Sequence, residues 1–149
     1  MKKTIFLLIA ATALVSCAMK DKKATGPVLT QEQREKALND SVNYTSIQWL
    51  DTTIKDLGKV KEGQVVEVTY KFRNSGTKNL VIYDVTASCG CTVPEKPEQP
   101  FAPGQEGTIR AKFDSRGRPH GMARKEVYVT ANTKPEKSHI LTFNVEITD

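Results

Sequence analysis

The chain has 149 residues, of which 38% are hydrophobic and 26% charged, and its formal net charge is +5. Such a length suits one domain able to bury a core of its own, and such a composition is ordinary for a soluble globular protein. Setting aside Lys2 and Lys3, which open a segment expected to be removed, lowers the charge to +3; this mild excess, spread over solvated faces, lacks the clustered Arg and Lys with aromatic stacking residues that nucleic acid requires.

The first residues read as an export signal, assigned to residues 1–16. Lys2-Lys3 form a positive n-region, and residues 5–15 form an apolar h-region too short to span a bilayer comfortably. The segment ends Leu14-Val15-Ser16-Cys17, which resembles the lipobox of bacterial lipoproteins. That resemblance implies cleavage before Cys17 and a diacylglyceryl group on its thiol, and two or more acyl chains hold a protein stably at a membrane. No later apolar run approaches the roughly 18 residues of a membrane-spanning helix, so the lipid on Cys17 is the expected membrane contact. Lipidation also resolves the cysteine count. Three cysteines are an odd number for an exported protein, and using Cys17 leaves Cys89 and Cys91 as a pair.

Residues 17–46 are expected to form a lipidated tether, mostly polar, in which Lys20-Asp21-Lys22-Lys23 precedes Gly26-Pro27. Within it, Thr30-Gln31-Glu32-Gln33 has the form of a capping box and predicts a helix from Gln31 to about Asn39. Ala37 and Leu38 are nearly its whole apolar content, so the helix is expected to be marginal and the segment mobile.

From residue 47 the hydrophobic period becomes two, opening a domain over 47–149. Residues 47–50 and 53–57 predict an irregular first strand region with Trp49 as an anchor at the core rim, and 58–63 predicts a turn. Val66, Val68, Tyr70 and Phe72 alternate with Glu67, Thr69, Lys71 and Arg73, a half-buried strand. Asn74-Ser75-Gly76-Thr77 is a turn, and a more continuously apolar strand over 80–85 follows. Beyond a proline-rich connection, Ile109, Ala111 and Phe113 face one way while Thr108, Arg110 and Lys112 face the other. Residues 114–122 carry Gly117, Pro119 and Gly121 and predict a loop. Val127 and Val129 mark the next strand, residues 132–137 its closing turn, and Leu141, Phe143, Val145 and Ile147 the last strand. Short strands separated by Gly, Pro and Asn turns predict an all-β, immunoglobulin-like antiparallel β-sandwich.

Ser88-Cys89-Gly90-Cys91-Thr92-Val93-Pro94 is followed by Pro100, Ala102-Pro103-Gly104, Gly107, Phe113-Asp114-Ser115 and Gly117. Together these residues resemble the domain-of-unknown-function family "fifteen seventy-three", over about residues 57–147. The family is common in lipoproteins of the Bacteroidota envelope. The resemblance implies an immunoglobulin-like sandwich akin to the abnormal-spindle and Hydin type, with no established activity. His120 and Met122 lie outside the pattern.

The cysteine pair admits three readings. Residues i and i+2 of a strand share a face, with Cα atoms near the upper limit for a disulfide, and Gly90 can fold the chain more tightly to bring the sulfurs together. Such a bond could be labile and exchange with other thiols. As thiolates the same sulfurs could instead hold copper or zinc, Cu(I) or Zn(II). Third, both could be small residues that simply pack the end of the sandwich. In an immunoglobulin-like sandwich the strands at 80–85 and 127–129 are antiparallel neighbours in one sheet. This would bring His120 and Met122, just before the second, to the same end as Cys89 and Cys91 as candidate copper ligands; the alternative is coincidence, with His120 solvated on a glycine-rich loop.

Enzymatic readings find little. His120 and His139 are the only histidines, no nucleophile motif accompanies them, and Gly104-Gln105-Glu106-Gly107 lacks the Lys and helix of a phosphate loop. No small-molecule substrate is evident. The expected protein is a non-catalytic binding or assembly module, anchored in the bacterial envelope on the periplasmic side or the cell surface. Its expected partner is another envelope protein, and the alternative is a thiol-redox or soft-metal lipoprotein working through Cys89 and Cys91.

Overall fold

The computed structural model describes residues 26–149. The expected signal segment and Cys17 lie outside the described residues. One helix, α1 (Gln31–Asn39), precedes eight strands: β1 (Ile47–Trp49), β2 (Ile54–Lys61), β3 (Val65–Asn74), β4 (Ile82–Ala87), β5 (Thr92–Glu95), β6 (Glu106–Asp114), β7 (Gly121–Ala131) and β8 (Ser138–Thr148).

The strands form two four-stranded sheets, ordered β1-β3-β6-β5 and β2-β8-β7-β4, packed as the expected sandwich. All pairings are antiparallel except β2 with β8. Alternation dictates the core. Val68, Tyr70 and Phe72 of β3, Ile109, Ala111 and Phe113 of β6, Val127 and Val129 of β7, and Leu141, Phe143 and Val145 of β8 are buried between the sheets. Aromatic edges meet faces through the middle: Phe113 against Phe143 at 5.7 Å between ring centroids, and Phe72 against Phe101 at 4.9 Å. Trp49 closes the rim beside Phe72 at 5.8 Å, as its isolation in the sequence predicts.

Where the strands differ from the sequence expectation, pairing is the reason. The turn expected at 58–63 is shorter, because β2 continues to Lys61 along β8. Gly58 marks an irregularity within the strand: its φ is +66°, and the β2–β8 register shifts between Asp56 and Lys59. The loop expected through Met122 ends earlier, because β8 is long enough to pair with β7 from Gly121 onward. The proline-rich connection contains β5, paired with β6; Pro94 is tolerated there because β5 lies at the sheet edge, where no further strand needs its missing N–H.

The helix forms with its capping box complete: Thr30 Oγ1 accepts from Gln33 N at 3.3 Å, and Gln33 Oε1 accepts from Thr30 N at 2.9 Å. The mobility expected of this segment does not follow, because Arg34 docks it. That side chain is 2% exposed and donates to the carbonyls of Ile82, Pro97 and Glu98 and to the Glu98 carboxylate. Upstream, Leu29 N donates to the Glu98 carbonyl. One end of the sandwich is then knitted by two buried asparagines. Asn74 binds Thr45, Gly76, Lys78 and Phe101, while Asn132 binds Asn43, Asn79 and Val81. No buried side-chain nitrogen or oxygen among the described residues lacks a hydrogen-bond partner.

Candidate functional site at the Cys-Gly-Cys turn

The opposite end of the sandwich carries the cysteine turn. β4 leaves its sheet at Ala87, which pairs with Val127, and the ladder runs one step further. Ser88 N donates to Glu126 O at 3.0 Å, and Glu126 N donates to Ser88 Oγ at 3.2 Å. The chain then crosses to the other sheet, where Thr92 pairs with Phe113. Thr92 N donates to Cys89 O at 3.2 Å and Asp114 N to Cys91 O at 2.8 Å, so the turn is pinned on both sides by backbone bonds.

Cys89 and Cys91 are joined as a disulfide, with Cα atoms 5.3 Å apart. That separation falls inside the range disulfides require. Gly90 reaches it without the left-handed conformation, so the conformational freedom expected of glycine is not what closes the turn. Its α-carbon faces open space, with no atom within 4 Å of where a Cβ would stand. The two sulfurs are unequal: Cys91 is 3% exposed and belongs to the core, whereas Cys89 is only partly buried. The Thr92 hydroxyl lies 3.7 Å from Cys89 Sγ and 3.9 Å from Cys91 Sγ. Sequence reasoning passed over Thr92, although its place beside the pair was the available signal.

The candidate four-residue copper site does not assemble. β4 and β7 are indeed antiparallel neighbours, but β7 begins six residues before Val127, the partner of Ala87. Six residues of extended strand span about 20 Å, which carries Gly121 and its neighbours well past the cysteines. Met122 is 71% exposed there. His120 stands in a separate corner, with Nε2 3.1 Å from Glu62 Oε2 and Nδ1 3.0 Å from Asp149 Oδ1. The bond from His120 holds the Glu62 carboxyl below its ordinary range, with help from Gly117 N–H. Both ring nitrogens are thus committed to carboxylates, and both thiols to each other. The residues present do not fit a copper ion shared by all four, and no group of three or more His, Cys, Asp or Glu among the described residues is placed to hold a metal.

Ser115 supports this end from beneath. Its hydroxyl is shared between the carbonyls of Lys61 and Gln64 at 2.8 and 2.9 Å, tying the β2–β3 turn to the end of β6. At the asparagine end, a groove of about 430 Å³ runs between α1 and the β3–β4 connection, lined among others by Lys36, Ala37, Asn43, Thr77, Lys78 and Val81. No helix among the described residues is long and apolar enough to cross a membrane.

The family model described as a protein of unknown function, DUF1573, matches residues 47–147. The chain belongs to the DUF1573 family. The match takes in all eight strands of the DUF1573 sandwich, short of only the last residue of β8, and the whole Cys-Gly-Cys turn. No curated protein matches the chain in sequence. Among solved structures, the DUF1573 chain resembles a protein of unknown function from Porphyromonas gingivalis W83, with 14% identity and a TM-score of 0.60, covering 72% of this chain and 49% of that one. It spans about half of that protein's length. The ASH/PapD-like domain 7 of human CEP192 matches at 11% identity and a TM-score of 0.53, covering 92% of this chain and 97% of that domain. The E. coli chaperone DraB matches at 13% identity and a TM-score of 0.50, covering 68% and 55%. At these identities the likeness establishes the fold alone, an immunoglobulin-like, PapD-like sandwich.

Proposed function

We propose that this DUF1573 protein is an envelope lipoprotein, held to a bacterial membrane through Cys17, whose sandwich is a non-catalytic binding or assembly module facing the periplasm or the cell surface. The observation that carries the reading is the pinned, solvent-open turn at Gly90, set against edges that each discourage strand pairing. β1 has three residues, β5 has four and includes Pro94, α1 lies against β4, and β2 carries three lysines and an irregularity at Gly58. Short, covered, charged or bulged edges are the usual defences against unwanted strand addition. End turns are therefore the favoured contact surface for a protein partner. The chaperone DraB on the same fold agrees with an assembly role without assigning one.

Two measurements test this reading. Cys17→Ala should move the protein from the membrane fraction to the soluble fraction, and a fatty-acid analogue should label only the wild type. A photo-crosslinking residue at position 90 should give a discrete adduct in intact cells, whereas one at position 59 on β2 should not. Adducts from position 59 alone would replace the turn by an edge as the contact surface.

A further inference from the structure

We infer that the Cys89–Cys91 disulfide is a directional thiol-exchange site that oxidises a partner dithiol, with Cys89 as the sulfur attacked and Cys91 as the leaving sulfur. It shares the Gly90 turn with the contact surface proposed above, but its test reads sulfur chemistry rather than attachment or crosslinking, so either reading can fail alone.

Three observations carry it. First, the turn does not need its disulfide to keep its shape, because the backbone is held by Ser88 to Glu126, Thr92 to Cys89 and Asp114 to Cys91. A crosslink between residues two apart also constrains the unfolded chain least among disulfides. Second, access is one-sided. Cys91 is 3% exposed within the core, while Cys89 is partly exposed beside an open Gly90 apex. Attack on a disulfide is in line with the S–S bond, so only the reachable sulfur can receive a thiolate from a partner. Third, the Thr92 hydroxyl lies 3.7 Å from Cys89 Sγ and 3.9 Å from Cys91 Sγ, within reach of whichever sulfur departs as a thiolate; it favours exchange, while the direction rests on access. Stabilising a leaving thiolate lowers its pKa and speeds exchange.

The steps balance. A partner thiolate attacks Cys89 Sγ, forming a mixed disulfide, and the electron pair of the broken S–S bond leaves on Cys91 Sγ, which takes a proton from water. The partner's second thiolate attacks its own first sulfur, which releases Cys89 as a thiolate that is protonated in turn. The partner dithiol ends as a disulfide, two electrons richer thiols remain at Cys89 and Cys91, and the two protons come from the partner's two thiols through solvent.

The test uses the full chain carrying Cys17→Ser, so that only the pair reports. Dithiothreitol should reduce the disulfide without unfolding the domain, as read by circular dichroism. Brief alkylation of the reduced protein followed by peptide mass mapping should then modify Cys89 faster than Cys91 by on the order of ten-fold. Adding Cys91→Ser should leave a thiol that releases thionitrobenzoate from its aromatic disulfide faster than the thiol left by Cys89→Ser. Thr92→Val should slow reduction several-fold with an unchanged melting temperature. Equal labelling of the two sulfurs, or faster labelling of Cys91, overturns the direction. A disulfide that resists dithiothreitol until guanidinium unfolds the domain overturns the activity and leaves a structural crosslink.

Discussion

Arg34 and Glu98 meet twice: one guanidinium nitrogen of Arg34 donates to the Glu98 backbone carbonyl at 2.6 Å and to its carboxylate at 2.8 Å. The Arg side chain is buried and the Glu side chain is half exposed, so the pair is a dock rather than a surface ion pair. The other terminal nitrogen reaches Ile82 O at 2.7 Å and Pro97 O at 3.3 Å. Arg34→Ala would leave these carbonyls without their donor and should cost about 2–4 kcal/mol. Arg34→Lys should recover only part, since an ammonium cannot reproduce the planar fork. Glu98→Gln keeps all three bonds from Arg34 to backbone carbonyls and should cost less than about 1 kcal/mol. Denaturation midpoints rank the three variants, and faster amide exchange in α1 of the alanine variant would locate the loss.

That dock shows what periodicity leaves unread. β3 and β8 were legible because their apolar residues alternate over long runs, and Phe113 and Lys112 fell on the faces their register assigns. Arg34 was not, because a cation in a polar helix looks solvated until carbonyls from 48 to 64 residues away are brought to it. β5 and the far half of β2 were hidden for the same reason: their strand character comes from β6 and β8, not from their own residues. At the candidate site the cysteine pair was visible as spacing. The inequality of its sulfurs and the nearness of Thr92 depend on which sheet the turn enters. His120 was misplaced because β7 was marked only by Val127 and Val129, which set its start beside the cysteine turn instead of at Gly121.

Phe113 is fully buried against Phe143, while Lys112 points outward to Glu95 at 3.2 Å. Phe113→Ala should therefore cost about 3–5 kcal/mol through lost burial and the cavity it leaves. Lys112→Ala removes one exposed ion pair and should change stability by less than about 0.5 kcal/mol. Urea titrations that gave equal midpoints for the two would contradict the β6 register.

Two glycines should respond oppositely to the same substitution. A Cβ on Gly107 would overlap the rings of Phe101 and Phe72, which pack over the bare backbone of β6. Gly107→Ala should destabilise by about 1–3 kcal/mol as those rings are forced apart. Gly90→Ala adds its methyl to open space at a residue without positive φ, and should stay within about 0.5 kcal/mol of wild type. Thermal melts of the pair measure the contrast; a large loss at position 90 would mean that the turn is more tightly built than its surroundings indicate.

His139 supplies the pH dependence. Burial beside Trp49, whose ring centroid is 5.9 Å away, lowers its pKa from the ordinary value, and Glu136 opposes only part of that shift. The Thr133 hydroxyl gives its one proton to the Glu136 carbonyl and so accepts the Nε2–H of His139 at 2.8 Å. The fold therefore prefers the neutral ring, while in the unfolded chain the ring takes up a proton near pH 6.5, or roughly there. The sign follows from proton uptake. Above that pH the contribution of His139 to stability is fully present, and it is lost as pH falls through the lower pKa of the folded state, where unfolding binds the extra proton. His139→Gln keeps an N–H for Thr133 and removes the titration. Denaturation midpoints measured from pH 8 to pH 5 (about the window set by these values) should fall further for the wild type than for His139→Gln. Every other titratable group is common to the two proteins, so their difference isolates this ring, and parallel pH profiles would show that burial does not disfavour its charged form.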